Sequence, residues 1–131
     1  MTISFEDFLS KKINAAYIDP SGDMYWNVAD LWYRISPIGD CCSNSWFEHC
    51  DNGDALQDAI LNKFEKYGGD EPPDLNGYEY IQVDMLKFKT SKGYCTIEFR
   101  NGSNGYYSGW ARIDLLTAPP NTSDFKVVGD F

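Results

Sequence analysis

The chain has 131 residues, of which 16% are aromatic, and it carries a formal net charge of −9 at pH 7. This length predicts a single domain over residues 1–131 with a real hydrophobic core. The acidic excess argues against binding to DNA or RNA polymers, which requires many Lys and Arg side chains on phosphates. A small anionic ligand is compatible with this charge if a few cationic side chains gather locally.

The N-terminal residues and the cysteines predict the compartment. The first residues lack the charged-then-apolar pattern of a signal peptide, and no apolar run is long enough to span a membrane. We therefore expect a cytoplasmic protein whose cysteines are reduced. There are four of them: Cys41, Cys42, Cys50 and Cys95.

The first third of the chain predicts a short helix followed by strands. Residues 5–12 suit a short N-terminal helix, with Ser4 as its N-cap and two acidic residues in its first turn. Runs of β-branched and aromatic residues between turn signals then predict antiparallel strands. The strands are at 13–18, 24–28 and 31–36, separated by turns at 19–23 and 29–30.

The middle of the chain predicts the main helix. Apolar residues recur at helical spacing over residues 54–67, lysines lie in the last turn, and two glycines follow. A long strand at 78–90 comes next, and its change of apolar parity predicts a bulge near Met85. The expected fold class is α+β, a twisted antiparallel sheet with one main helix and a short N-terminal helix. The apolar positions of the helix are Leu56, Ile60, Leu61, Phe64 and Tyr67.

Residues 93–113 predict a β-hairpin that holds two of the three arginines of the chain. If residues 101–105 form the loop, Arg100 lies opposite Tyr106, and the apolar residues of both strands share one face. A register shifted by one residue would mix arginine with apolar side chains, so the first register is preferred. The other face then collects Tyr94, Thr96, Glu98, Arg100, Tyr106, Ser108, Trp110 and Arg112.

This face has the chemistry of a nucleotide site. Arginine binds phosphate in a bidentate way and stacks on aromatic rings. Tyrosine and tryptophan offer planes for a base, and a Gly/Asn loop offers backbone N–H groups to an anion. Residue chemistry leaves an alternative open, in which the face is merely solvated and Arg100 pairs with Glu98.

The cysteines and His49 do not predict a metal site or a nucleophile. Adjacent Cys41 and Cys42 are poor tetrahedral partners, and the Cys-x-x-Cys spacing of structural zinc sites is missing. A Cys–His nucleophile has no supporting motif either. We therefore expect no metal and no cofactor.

Two segments resemble a small phage and bacterial family that includes the phage Thoeris anti-defence proteins of the first type. The resemblance rests on Asp40-Cys41-Cys42 after a strand and on Ser103-Asn104-Gly105-Tyr106-Tyr107 nearer the C-terminus. The similar segments cover roughly half of the chain. Such proteins are sponges that sequester cyclic ADP-ribose signals made by TIR-domain enzymes, and some members also bind cyclic oligonucleotides.

The resemblance implies a binding protein of the host bacterial cytoplasm that leaves its ligand intact and forms at least a homodimer. Two alternatives stay open: a cyclic-nucleotide hydrolase, and an inhibitor module that binds a protein through its aromatic sheet face. We expect the arginines to contact the diphosphate, the aromatic residues the adenine or ribose, and the asparagine a polar edge. The predicted ligand-binding residues are Arg34, Tyr94, Arg100, Asn104, Tyr106, Trp110 and Arg112.

Overall fold

The computed structural model describes residues 2–71, 78–104, 107–129 and 131. Within these residues the chain forms nine strands and two single-turn 3₁₀ helices, at Phe5–Phe8 and Gly53–Leu56. No helix in the described ranges is long and apolar enough to cross a membrane. The strands are β1 (Lys12–Ile18), β2 (Met24–Val28), β3 (Leu31–Gly39), β4 (Ser43–Asp51), β5 (Ala59–Glu71), β6 (Tyr80–Thr90), β7 (Gly93–Ser103), β8 (Gly109–Leu115) and β9 (Lys126–Val127).

The strands form one antiparallel sheet in the order β4-β7-β6-β5-β1-β2-β3-β8, with β9 paired to β1. The predicted β1–β2 and β2–β3 hairpins are present. In the first turn, the Asp19 carboxylate accepts hydrogen bonds from the backbone N–H groups of Ser21 and Asp23. In the second, Ala29 and Asp30 both have left-handed backbone, which matches the twist of a two-residue hairpin.

The core lies on the inner face of the sheet and is built on aromatic rings. The ring of Phe88 lies 5.0 Å from that of Phe5, 5.2 Å from that of Trp26 and 5.1 Å from that of Phe64, between centroids. Phe88 and Trp26 are fully buried. The N-terminal 3₁₀ turn therefore covers the core, because the side chains of Phe5 and Phe8 are both buried in that core.

The α+β prediction is wrong, because the predicted helix at residues 54–67 is mostly strand β5. Pairing with β6 steps from Leu61↔Thr90 to Lys63↔Lys89, so Asn62 is an extra residue in a β-bulge. The bulge places Leu61 and Phe64, three residues apart, toward the same core. Three-residue spacing is normally a helical signal, and here the bulge produces it.

Two smaller predictions also need correction. The N-terminal helix ends at Phe8, whereas it was predicted to continue to Lys12. Lys12 is instead the first residue of β1. The Ser4 N–H donates to the Asp7 carboxylate at 2.8 Å, which fixes the start of the turn. The predicted bulge near Met85 is absent, because β6 keeps a continuous register with both neighbours there.

The predicted hairpin over residues 93–113 does not form. Strand β7 lies between β4 and β6, whereas β8 pairs with β3 at the other end of the strand order. Asn101 and Gly102, predicted as loop, belong to β7 and pair with both neighbouring strands. Long-range strand pairing has overridden a local turn signal. Residue 105 of the predicted loop lies outside the described residues, as does Tyr106, which was predicted to lie opposite Arg100.

The sheet curls until its far strands meet. The Gln82 side chain on β6 donates to the Gly109 carbonyl at 3.0 Å and accepts from the Gly109 N–H at 2.9 Å. The Ser45 hydroxyl on β4 donates to the Ile38 carbonyl on β3 at 2.9 Å. These side-chain bonds bring β8 beside the strands at the opposite end of the sheet and create the candidate site.

Candidate functional site

Strand β8 places two of the predicted ligand-binding residues on the outer side of the sheet. Along β8, Ala111 and Ile113 face inward toward the core, so Trp110 and Arg112 face outward. Directly opposite residues in an antiparallel pair share a face. The facing pairs on this side are Ile38↔Trp110, Ser36↔Arg112 and Arg34↔Asp114. We call these six residues the β3–β8 face.

Both arginines of the β3–β8 face are paired with carboxylates. Arg34 Nε donates to Asp23 at 3.0 Å, and this hydrogen bond raises the pKa of Arg34 above its ordinary value. Arg112 Nε donates to Asp114 at 3.0 Å, and about half of each of these two side chains is exposed. Exposed ion pairs are worth roughly 0–1 kcal/mol, so a ligand anion can compete for the Arg112 guanidinium.

Two adjoining cavities open beside β8. The larger, of about 270 Å³, is lined mainly by apolar side chains from the core and from the N-terminal segment. The smaller, of about 200 Å³, includes Arg112 and Asp114 in its lining. Both are lined by Trp110 and by Ile3, which forms a β-bridge with Ile113.

The larger cavity contains charged groups at its edge. The Asp84 carboxylate is only 7% exposed and accepts a hydrogen bond from the Gln82 amide at 2.9 Å. Lys66 and Glu6 also line this cavity. The combination is a mostly apolar pocket with a few converging polar groups, which is the usual composition of a small-molecule site.

The structure divides the predicted site residues into two groups. Arg34, Trp110 and Arg112 lie on the β3–β8 face. Tyr94 and Arg100 lie on the outer side of β7, and Asn104 directly follows that strand. Because β7 and β8 are not paired, the predicted continuous arginine and aromatic face is not formed. Tyr106 lies outside the described residues.

The β7 group is held by contacts within the protein. Arg100 Nε donates to Glu98 at 2.7 Å, as in the solvated alternative considered for this face. The Asn104 side-chain oxygen accepts a hydrogen bond from the Glu79 N–H at 3.0 Å. The exposed Tyr94 ring has the amino groups of Lys87 and Lys89 at 4.8 Å and 5.8 Å from its centroid, as in cation–π contacts.

The sequence analysis did not assign three nearby residues to the site: Ser36, Trp46 and Tyr78. Ser36 is 6% exposed, and its hydroxyl lacks a hydrogen-bond partner among the described residues. Trp46 lies opposite Arg100 and stacks on Tyr78 with ring centroids 6.0 Å apart. The adjacent aromatic residues Trp46 and Phe47 are the sequence signal that could have favoured a strand at 43–51, whereas nothing local marks a serine as buried.

The cysteines form two pairs of different character. Cys41 and Cys42 are exposed with sulfur atoms 3.1 Å apart, and the hydrogen bond between the two thiols raises the pKa of Cys42. Cys50 and Cys95 are buried with sulfur atoms 3.8 Å apart. Across the described part of the chain, no three His, Cys, Asp or Glu side chains are grouped as metal ligands.

A third and larger cavity, of about 470 Å³, lies against the C-terminal tail. It is lined by the 18–20 turn and by tail residues, and Lys126 is the cationic side chain among them. None of the six predicted ligand-binding residues that the structure describes lines it. The β8 cavities are therefore the better candidate site.

Comparison with known proteins places this architecture in a family. Residues 7–113 match the family described as Domain of unknown function (DUF7448). The chain is also similar to "Uncharacterized protein L278" of Acanthamoeba polyphaga mimivirus, with 31% identity over 110 residues, which cover 80% of this chain and 81% of that protein. A relative of this chain is thus encoded by a virus. No solved structure matches the chain.

Proposed function

Because the chain belongs to the DUF7448 family, whose description assigns no activity, we propose a function from the site itself: the protein binds a cyclic ADP-ribose isomer beside β8 and sequesters it without degrading it. In this proposal a phage uses the protein to block TIR-based Thoeris defence in the bacterial cytoplasm. The observation that carries it is the position of Trp110 and Arg112, predicted from the sequence, in the lining of one cavity.

The β8 cavities suit a ligand that combines a planar ring with anionic groups. Trp110 is 44% exposed and offers an indole plane, on which a base can stack. Arg112 lies two residues further along the same face and can bind a phosphate oxygen through its guanidinium.

The dimensions also favour a small ligand. Each cavity is smaller than the roughly 300–1,000 Å³ of typical ligand pockets, but the two adjoin through Trp110 and Ile3. Together they approach the space that a single nucleotide-sized molecule needs. A nucleic-acid polymer is a poorer match, because the chain as a whole is strongly acidic.

Sequestration without chemistry is the second part of the proposal. A hydrolase using acid–base catalysis would place two suitably positioned proton-transfer groups at the reacting bond. Asp84 is the buried carboxylate of the larger cavity, and its hydrogen bond with Gln82 supports a role in joining β6 to β8.

We also propose that the protein is a homo-oligomer. Light scattering of the purified protein measures the oligomeric state directly, and a monomer at every concentration would contradict this proposal.

Thermal stability in the presence of cyclic ADP-ribose isomers tests the binding. A ligand present at about a thousand times its dissociation constant should stabilise the fold by roughly 4 kcal/mol. The shift should be lost in Arg112→Ala and kept in Arg100→Ala, a matched control because each arginine pairs with an acidic side chain two residues away. Equal shifts in both variants would place the site elsewhere, and no shift with any isomer would refute the sponge.

The fate of the ligand distinguishes a sponge from an enzyme. The ligand is incubated with the protein, the protein is denatured by heat, and the supernatant is analysed by mass spectrometry. Sequestration predicts that the intact cyclic compound is released in proportion to the protein. Release of an opened or hydrolysed product would support the cyclic-nucleotide hydrolase instead.

A further inference from the structure

The turn between β3 and β4 holds two neighbouring thiols in contact. Cys41 and Cys42 are both exposed, and their sulfur atoms lie 3.1 Å apart. Two thiols this close can be joined by an oxidant without movement of the strands that flank the turn. Neither thiol takes part in the binding site proposed beside β8.

The backbone of the turn holds the thiols in this position. Cys42 has a φ of +70°, a left-handed conformation that non-glycine residues seldom adopt. The Ser43 N–H donates to the Asp40 carbonyl at 3.1 Å, which closes the turn. The Asp40 carboxylate accepts hydrogen bonds from the N–H and hydroxyl of Ser108, at 3.3 Å and 3.2 Å. The turn is thereby anchored beside the start of β8.

We propose that Cys41 and Cys42 form a redox-sensitive vicinal dithiol that a hydroperoxide converts into a disulfide between neighbouring residues. One thiolate attacks the peroxide oxygen, which breaks the O–O bond and forms a sulfenic acid and water. The second thiol then attacks that sulfur, so the S–S bond forms and a second water leaves. Two thiols and one hydrogen peroxide thus give one disulfide and two waters.

The disulfide formed here is reversible rather than structural. Consecutive α-carbons are about 3.8 Å apart across a trans peptide bond. Ordinary disulfides join α-carbons roughly 4.4–6.8 Å apart, so a bond between neighbours is strained. Strained and exposed disulfides are the easily reduced, regulatory ones. A thiol of the glutathione class should therefore restore the reduced turn.

The other cysteine pair provides an internal control. Cys50 and Cys95 lie on adjacent strands with sulfur atoms 3.8 Å apart, and both are fully buried. A hydroperoxide in water reaches exposed sulfur first, because oxidation follows thiolate character and exposure. The exposed pair should therefore be oxidised faster than the buried pair, although the two sulfur atoms are close together in both.

The experiment treats the folded, reduced protein with one equivalent of hydrogen peroxide and alkylates the remaining thiols before and after denaturation. We expect two thiols to be lost per chain, a mass decrease of two hydrogens, and a tryptic peptide containing a Cys41–Cys42 disulfide. Cys50 and Cys95 should be alkylated only after denaturation. The disulfide should form within a single chain at every protein concentration, and excess glutathione should reverse the change.

The variant Cys41→Ser serves as the matched test, because it removes one exposed thiol and leaves the buried pair in place. In this variant Cys42 should give a sulfenic acid that dimedone traps, whereas dimedone should label the wild-type chain poorly. Covalent dimers in the wild-type chain, a disulfide between Cys50 and Cys95, or unreacted Cys41 and Cys42 would each overturn the proposal.

Discussion

Trp110 presents an aromatic plane on the β3–β8 face. The residue is 44% exposed although it lines two cavities. Stacking of a base on an aromatic side chain is worth about 1–3 kcal/mol. We therefore predict that Trp110→Ala lowers the affinity for a cyclic ADP-ribose isomer by about 5- to 150-fold, measured by calorimetry. Trp46→Ala, on β4 and outside the lining of both β8 cavities, is the matched control and should retain wild-type affinity; the reverse pattern would assign binding to the β7 side.

Asp114 limits how strongly Arg112 can bind an anion, because the two side chains form an ion pair at 3.0 Å. We predict that Asp114→Asn raises the affinity for an anionic ligand by up to about 5-fold, since an exposed pair is worth roughly 0–1 kcal/mol. The gain should shrink as salt is added. Glu98→Gln removes the equivalent partner of Arg100 and should leave affinity unchanged. Weaker binding by Asp114→Asn would argue against a phosphate on Arg112.

At the scale of elements, the inward and outward directions of side chains on β7 and β8 could be predicted from the sequence, but the neighbours of these two strands could not. Cys95, Ile97 and Phe99 face the core as alternation predicts, and so does Ile113. Alternation says nothing about which strand lies alongside. Strands β7 and β8 are close in sequence, yet β7 pairs with β4 and β6, and β8 pairs with β3. The sequence therefore predicted correctly which side chains of β7 and β8 point outward, but it wrongly placed the two strands side by side.

Strand β5 shows why the main helix was mispredicted. Local spacing cannot distinguish a helix from a bulged strand when the bulge sets Leu61 and Phe64 three residues apart on one side. The early hairpins were predictable because their turns are local: Asp19 caps one turn, and Ala29 and Asp30 form the other. Tertiary pairing with β6 decided the conformation of residues 59–71.

The core contact between β5 and β6 predicts a large loss of stability when it is removed. Phe88 is fully buried against the rings of Phe5, Trp26 and Phe64. Phe88→Ala should lower the free energy of unfolding by about 3–5 kcal/mol, measured by urea denaturation. Tyr67→Ala, at an exposed position on β5, should change it by less than about 0.5 kcal/mol. Similar losses for both would contradict the strand assignment of β5.

The junction of β1 and β5 predicts a pH dependence. Lys12 on β1 forms an ion pair with Asp58 at 2.8 Å, which lowers the pKa of Asp58 and raises that of Lys12. The contribution of Asp58 to stability is present above its unfolded pKa and is lost as pH falls through the folded value. The contribution of Lys12 is present below its unfolded pKa and is lost as pH rises through the folded value.

The variant Asp58→Asn tests this pair. Its deficit in unfolding midpoint relative to the wild-type chain should be constant from about pH 5 to pH 9. It should shrink toward zero in acid, where Asp58 is protonated in both states. Added salt should also reduce the deficit, because both groups are exposed. A deficit that persists unchanged in acid would mean that Asp58 acts through its backbone turn and not through its charge.

At the scale of the whole molecule, the fold places Arg112 and the exposed ring of Trp110 together beside one cavity. The curled sheet brings β8 against β6 through Gln82 and leaves cavities beside Trp110 that the N-terminal segment completes. The apolar core supports this wall from the inside. Such a rigid scaffold with a pocket at one edge suits capture of a small signal molecule.

Recovery of the captured molecule tests the central claim most directly. The wild-type protein, Trp110→Ala and the control Trp46→Ala are purified from cells that contain an active Thoeris TIR enzyme, and the small molecules released by heat are identified by mass spectrometry. The account predicts an intact cyclic ADP-ribose isomer, close to stoichiometric with the wild-type and Trp46→Ala proteins and depleted from Trp110→Ala. Absence of any such nucleotide from the wild-type protein, or equal recovery from Trp110→Ala, would contradict it.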